Sequence, residues 1–314
     1  MNDSAAIFPG QGSQSVGMGR DVAEACAAAR RVFDRANEVV GYDLACVCFG
    51  GPAEELERTD RQQPAIFVTS VALWTAFVEA GGRREQFSRM GGLSLGEYTA
   101  LHLAGALTFD DALKLVQRRG ELMQQASTAA PSGMASLVGA DEAAAHALCD
   151  RARGDDVLGP ANFNCPRQIV ISGHKTACER AVALAGEFGC RAVSLPVAGA
   201  FHSLLMEPAA DDLWTTLEQT PFAVPCVPVI ANVDGEYHKD PDSLRDALKR
   251  QLTRPVLWQR CIERMIEDGM SRFVEIGPGR VLTGLMRKIN REVSAINVSK
   301  AELLKDAVVQ PNAG

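Results

Sequence analysis

The stretch "MGGLSLGEYTAL", residues 90–101, decides how the rest of the chain is read. It sets Ser94 between Gly92 and Gly96, with a helical pattern starting directly behind. A serine raised on a sharp strand-to-helix turn needs small residues two before and two after it, because strand and helix press together there. On that reading residues 86–92 form a strand, though a poor one by propensity, and residues 95–106 a helix. The helix N-terminus would aim backbone N–H groups at the serine, and the Leu95 N–H would help to hold an oxyanion. The pattern alone is weak in a chain with 28 glycines, and the helix behind it gives it weight.

Outward from the turn, short apolar runs alternate with amphipathic stretches. Residues 5–8 read as a strand, and 20–40, 64–80 and 109–126 as helices, with Pro64 near the first turn of the second. This rhythm predicts a parallel sheet covered by helices. The middle changes character. Strands are predicted at 134–139, 157–163, 168–172 and 191–196, with helices at 141–151 and 175–188. That β-α-β-β-α-β order is the ferredoxin-like pattern. Beyond it come a helix at 204–219, a strand at 227–232, helices at 242–252 and 257–268, a strand at 272–276 and a last helix. The expected division is a core of 1–129 and 199–305, an inserted subdomain of 130–198, and a loose tail of 306–314.

The 314 residues are 46% hydrophobic and 23% charged, enough apolar material for a sizeable core. A net charge of -7 without any Lys/Arg block argues against a nucleic-acid partner. The most apolar stretch, 65–78, is too short for a membrane span and is interrupted by Thr69, Ser70 and Thr75. The N-terminus lacks a basic region followed by an apolar one, so no signal peptide is expected and the location expected is cytoplasmic. Nine cysteines without a CxxC pair read as buried reduced thiols, not as a disulfide framework or a metal site.

A serine nucleophile needs a base. Of five histidines, His102 sits on the helix behind the turn, His146 and His174 fall in the insert, and His238 lies in a polar loop. His202, in "VAGAFHSLLM", opens a helix from a small-residue loop, a common setting for a catalytic group; the alternative is that His202 and Ser203 only cap the helix. Arg119 falls on the apolar stripe of its helix with Val116 and Leu122, whereas Arg118 falls on the polar face. An inward guanidinium must find an anion, either a buried structural carboxylate or a substrate carboxylate that it clamps. The loop "FPGQGSQ" lets backbone approach a ligand at Gly10 and Gly12, and Gln11 offers an amide donor. It lacks the spacing of a nucleotide-binding loop.

Taken with "GPAEEL", "RQQPA", "GLSLGEY", "QRRGELM", "NFNCPRQIVISG", "GAFHSLLM", "NVDG", "QLTRPVLW" and "EIGPGRVLTGL", that loop completes a set of ten blocks, in order, that resembles the malonyl-CoA:acyl carrier protein transacylase family from residue 7 to about 298. The resemblance implies an α/β-hydrolase-like core with a parallel sheet and a ferredoxin-like insert. It implies Ser94 as nucleophile, His202 as base oriented by the main-chain carbonyl of Gln251, and Gln11 with the Leu95 N–H as oxyanion hole. Arg119 would pair with the malonyl carboxylate, while Gln63 and Asn162 match polar pocket positions. Phe201 resembles members that prefer malonyl to methylmalonyl. Malonyl-CoA and acyl carrier protein are then the partners, without metal or cofactor, and a monomer is expected. Arg280, Arg287 and Lys288 would supply a basic patch for the acidic carrier protein. Leu93 departs from the family, which usually has His there; it would alter pocket polarity without abolishing transfer. Competing expectations are a trans-acting acyltransferase of a polyketide synthase, a serine acyl hydrolase, and an inactive docking subunit.

Overall fold

Two separate four-stranded sheets organise the chain, which a computed structural model describes over residues 3–308. The first contains β1 (Ser4–Phe8), β2 (Arg89–Gly92), β7 (Arg272–Ile276) and β8 (Ser294–Val298) in the order β2-β1-β7-β8, all parallel. The second contains β3 (Ser132–Val138), β4 (Leu158–Cys165), β5 (Gln168–His174) and β6 (Arg191–Ser194) in the order β4-β5-β3-β6, all antiparallel. The fold is thus α/β, with a parallel sheet and a distinct antiparallel one.

Helices α1 (Arg20–Ala25), α2 (Ala27–Val40), α3 (Leu44–Gly50), α4 (Ala53–Glu57) and α5 (Thr59–Glu79) join β1 to β2. Helices α6 (Leu95–Leu103) and α7 (Phe109–Ala129) follow β2, and α8 (Glu142–Arg153) and α9 (Lys175–Leu184) cover the antiparallel sheet. Then come α10 (Glu207–Gln219), α11 (Pro241–Thr253), α12 (Trp258–Glu267), α13 (Val281–Ile289) and α14 (Leu304–Ala307). The inner strand β1 is buried on both faces, so it reads "SAAIF" with every residue inside.

The antiparallel sheet has two uses, set by the alternation of side chains across a strand. Ala135, Leu137, Ile169 and Ile171 face α8 and α9. Met134 and Val170, one step out of phase, face the main core.

Four expectations need correction. Residues 227–232 do not form a strand: only isolated bridges occur, Val229 with Met90 and Ile230 with Tyr237. Pro228 interrupts the run, with Pro225 just ahead of it, and lacks the N–H that a ladder needs, although the Pro228 carbonyl still accepts from Met90 N (2.9 Å). The fourth parallel strand is instead β8, a half-buried run with no strong alternation. Pro64 lies inside α5, which begins at Thr59 rather than one turn later. Residues 306 and 307 are not loose: they belong to α14, whose Ala307 carbonyl accepts from Arg272 (2.9 Å) and Gln86 (3.3 Å). Val308 follows the helix in extended conformation, and the rest of the expected tail, 309–314, lies outside the described residues. The cysteines are unpaired, but Cys46 and Cys226 are exposed rather than buried. Among the described residues no helix is long and apolar enough to cross a membrane.

Candidate active site

Gly92 ends β2 opposite Phe8 of β1, and α6 starts three residues later. The two glycines are required by closeness, not by backbone angle. A Cβ on Gly92 would lie 2.0 Å from the carbonyl of Gly96, and one on Gly96 would lie 2.1 Å from the carbonyl oxygen of Phe8. Ser94 is left at φ 53° and ψ -103°, a backbone conformation that non-glycine residues rarely adopt. Such a conformation costs on the order of 1–3 kcal/mol and persists only where neighbours over-determine it. Asn232 does this from a loop far along the chain. Its Oδ1 accepts from Ser94 N (2.6 Å) and its Nδ2 donates to the Gly92 carbonyl (2.8 Å), pinning the turn on both sides of Leu93, directly before the serine.

Ser94 Oγ lies 2.8 Å from His202 Nε2, and His202 Nδ1 lies 2.7 Å from the main-chain oxygen of Gln251. A carbonyl oxygen only accepts, so Nδ1 carries the ring proton and Nε2 is the acceptor for the serine hydroxyl. Burial first, and then the nearby Arg119 cation, push the imidazole down to about 4, against a smaller upward pull from the Gln251 carbonyl. The ring is therefore neutral at physiological pH, in the state that can receive a proton.

Arg119 is 0% exposed, the most deeply placed cation in the site. Its position follows from α7, where Ala112, Leu115, Val116, Leu122 and Met123 are buried on the same side, while Arg118 pairs with Glu121 at the surface. Nη2 donates to Ser94 Oγ (3.0 Å) and to Gln251 Oε1 (3.0 Å), and Nη1 donates to Gln63 Oε1 (2.7 Å). All three are neutral acceptors, so no carboxylate within ion-pair distance balances the guanidinium among the described residues. Its charge is directed at the serine oxygen.

Ser94 and His202 open on a cavity of about 480 Å³, with Gln11, Leu93, Asn162 and Phe201 also on its wall, while Arg119 and Gln251 stand buried directly behind them. It lies at the carboxyl ends of β1 and β2, the usual ligand position in open α/β sheets. Met134 and Val170 of the antiparallel sheet line it from the other side. Leu95 N, at the first position of α6, is one of the donors a helix start leaves without an intrahelical acceptor.

Most residues singled out from the sequence meet here: Ser94, His202, Gln251, Gln11, Leu95, Arg119, Asn162 and Phe201. Gln63 is buried behind the wall as a partner of Arg119, and it is Gln62 that borders the cavity, accepting from Gln11 Nε2 (2.5 Å). Arg280 is exposed just before α13, and Arg287 and Lys288 are exposed in its last turn, while Val281 and Leu285 of the same helix reach the cavity. His102, His146, His174 and His238 stand elsewhere; His102 is packed between Phe67 and Phe109. Two residues escaped the sequence reading. Glu97 is buried, accepting from Asn232 N (2.9 Å) and Gln251 Nε2 (2.8 Å), and burial pushes its carboxyl up to about 7. A lone carboxylate in the apolar run behind the elbow was its signal. Asn232 opens the "NVDG" block, but nothing in its local pattern marked it as the clamp of the turn.

A serine on a strained turn, a neutral histidine on its hydroxyl and a guanidinium on the same oxygen define a serine enzyme that handles acyl groups. The chain belongs to the acyl transferase domain family, which matches residues 6–309. It is 42% identical over 311 residues to the malonyl CoA-acyl carrier protein transacylase of Salmonella typhimurium, covering 99% of this chain and 100% of that protein. An acyl carrier protein S-malonyltransferase structure from Vibrio cholerae is similar at a TM-score of 0.93 and 44% identity, over 97% of this chain and 99% of that one. A malonyl-transacylase solved in complex with its holo type II PKS acyl-carrier protein is similar at a TM-score of 0.94 and 41% identity, over 98% and 99% of the two chains.

Proposed function

We propose that this acyltransferase moves a malonyl group from malonyl-CoA to the phosphopantetheine thiol of an acyl carrier protein, supplying fatty-acid biosynthesis. The observation that carries it is the buried Arg119, with Nη2 3.0 Å from the oxygen of Ser94. A neutral acyl chain gains nothing from a fixed cation there, whereas the free carboxylate of malonate supplies the missing counter-charge.

The mechanism follows from the contacts. The Ser94 hydroxyl proton passes to His202 Nε2 as Oγ attacks the thioester carbonyl. The Leu95 N–H and an amide of Gln11 hold the resulting oxyanion. Collapse breaks the C–S bond, and the imidazolium returns the proton to the departing CoA sulfur. In the second half the carrier thiol gives its proton to Nε2, its sulfur attacks the ester carbonyl, and Ser94 Oγ leaves with that proton. Gln251 keeps the imidazole aligned through its main-chain oxygen, and Gln63 steadies Arg119. Asn162 is a polar wall group, and Phe201 crowds the malonyl α-carbon against a methyl branch, worth about 1–3 kcal/mol. Every bond change uses this chain's own groups, so the reading calls for no metal or cofactor.

The same reading takes the parallel-sheet unit, 1–129 and 199–305, as an α/β-hydrolase-like core. It takes 130–198 as a ferredoxin-like insert, supported by the strand order β4-β5-β3-β6. A cytoplasmic monomer is the working state, with Arg280, Arg287 and Lys288 as the carrier docking patch.

The experiment compares the fate of a preformed malonyl-enzyme with and without holo carrier protein. Transfer to the thiol is expected to exceed release to water by at least about 100-fold. Equal rates would make the protein a hydrolase.

A further inference from the structure

Glu97 is a buried carboxylate that none of the steps above uses. Both of its hydrogen bonds fall on one oxygen, Oε2: one from Asn232 N (2.9 Å) and one from Gln251 Nε2 (2.8 Å). Each partner holds a different half of the reacting pair. Asn232 clamps Ser94 N and the Gly92 carbonyl, which fixes the strained serine. Gln251 carries the main-chain oxygen that aligns His202, places Oε1 on Arg119, and also donates to the Ser94 carbonyl (3.2 Å). One side chain in the first turn of α6 therefore joins the loop around 232 to α11 directly beneath the nucleophile.

We propose that Glu97 is a positioning residue: its Oε2 sets the separation of Ser94 Oγ and His202 Nε2 by locking Asn232 and Gln251 to the elbow. This rests on the reading of Ser94 and His202 as nucleophile and base. A carboxylate is a costly way to fill buried space, since a packed apolar side chain there would avoid its desolvation. What only an acceptor at this point supplies is a shared anchor for two donors from separate parts of the chain. The first turn of a helix also favours negative charge. What matters is the place of the oxygen rather than its charge. A Gln amide oxygen can occupy that place, while an Asp carboxylate, one methylene shorter, cannot reach both donors.

The test is the rate of malonyl-enzyme formation per active site, with malonyl-CoA and the full-length protein, for the parent, Glu97→Gln, Glu97→Asp and Glu97→Ala. Displacing a reacting group by about 1 Å costs on the order of 100-fold in rate. Glu97→Asp and Glu97→Ala should therefore lose about 100-fold in kcat, with KM for malonyl-CoA changed by less than about threefold. Glu97→Gln should restore the rate to within about threefold of the parent. A purely structural role would lower melting temperature and the number of active sites, but leave the rate per site unchanged. If only one of the Asp and Ala variants folds, it carries the comparison with Gln. Parental rates in either folded variant, or a Glu97→Gln enzyme as slow as Glu97→Asp, would overturn the proposal. A parent that forms no malonyl-enzyme would instead overturn the functional reading itself.

Discussion

His202 is pressed by two effects of the same sign, burial and the Arg119 cation, which together hold its imidazole at about 4. The active form is the neutral ring, so a lowered value extends activity toward acid. The acylation kcat/KM should stay flat between about pH 6 and 8 and fall only as pH drops through the lowered value, with an apparent acid pKa below about 5. Replacing Arg119 by Leu removes the cation and should move that acid limb upward. A parent profile with its acid limb near the ordinary histidine value of about 6.5 would contradict the buried, neutral ring. At this scale the sequence was informative wherever a residue broke its local pattern. Arg119 sat on an apolar stripe, and Ser94 sat between two glycines. The role of the Gln251 main-chain oxygen came through family resemblance alone, because a carbonyl belongs to every residue and leaves no mark in the sequence.

The elbow is the element on which the site depends, and its tolerance is measured in ångströms. A methyl on Gly96 would stand 2.1 Å from the Phe8 carbonyl oxygen, which is backbone at the end of the inner strand β1, already held by Leu93 N (3.0 Å), and cannot step aside. Gly96→Ala should therefore cost about 1–3 kcal/mol or more, read from the denaturant midpoint, and should slow acylation. Gly133, with nothing within 4 Å of its added Cβ, is the control and should be close to neutral as Ala. Equal effects at the two positions would contradict the close-packed turn. Elements with a clear period were legible in the amino-acid sequence, α7 and the six pieces of the antiparallel unit among them. Those that failed had physical reasons. The run 227–232 has strand-like apolar content, but Pro228 within it removes a ladder donor. Strand β8 lies at a sheet edge, half-buried, and so carries neither alternation nor a continuous apolar run.

Across the whole molecule, the reactive cavity is walled by the antiparallel sheet on one side and by the turns that follow β1 and β2 on the other, and α13 borders it. Arg280, Arg287 and Lys288 are exposed there, and among the described residues none of them pairs with a carboxylate. Lys288 reaches only the neutral Gln168 (2.9 Å), itself on the cavity wall. Reversing all three charges should raise the KM for acyl carrier protein about tenfold and reduce its salt dependence. An unchanged KM would remove this face from docking. Strand order and the meeting of residues 11, 94, 119, 202 and 251 were not legible from spacing, because long-range pairing leaves no local period. The central claim, a malonyl ester on Ser94 selected by Arg119, is tested most directly by intact-protein mass measurement after incubation with malonyl-, methylmalonyl- and acetyl-CoA side by side. One malonyl group should appear on Ser94, faster than either alternative acyl group, and none should appear in Ser94→Ala. No mass gain, a gain that survives Ser94→Ala, or acetyl loading as fast as malonyl would contradict it.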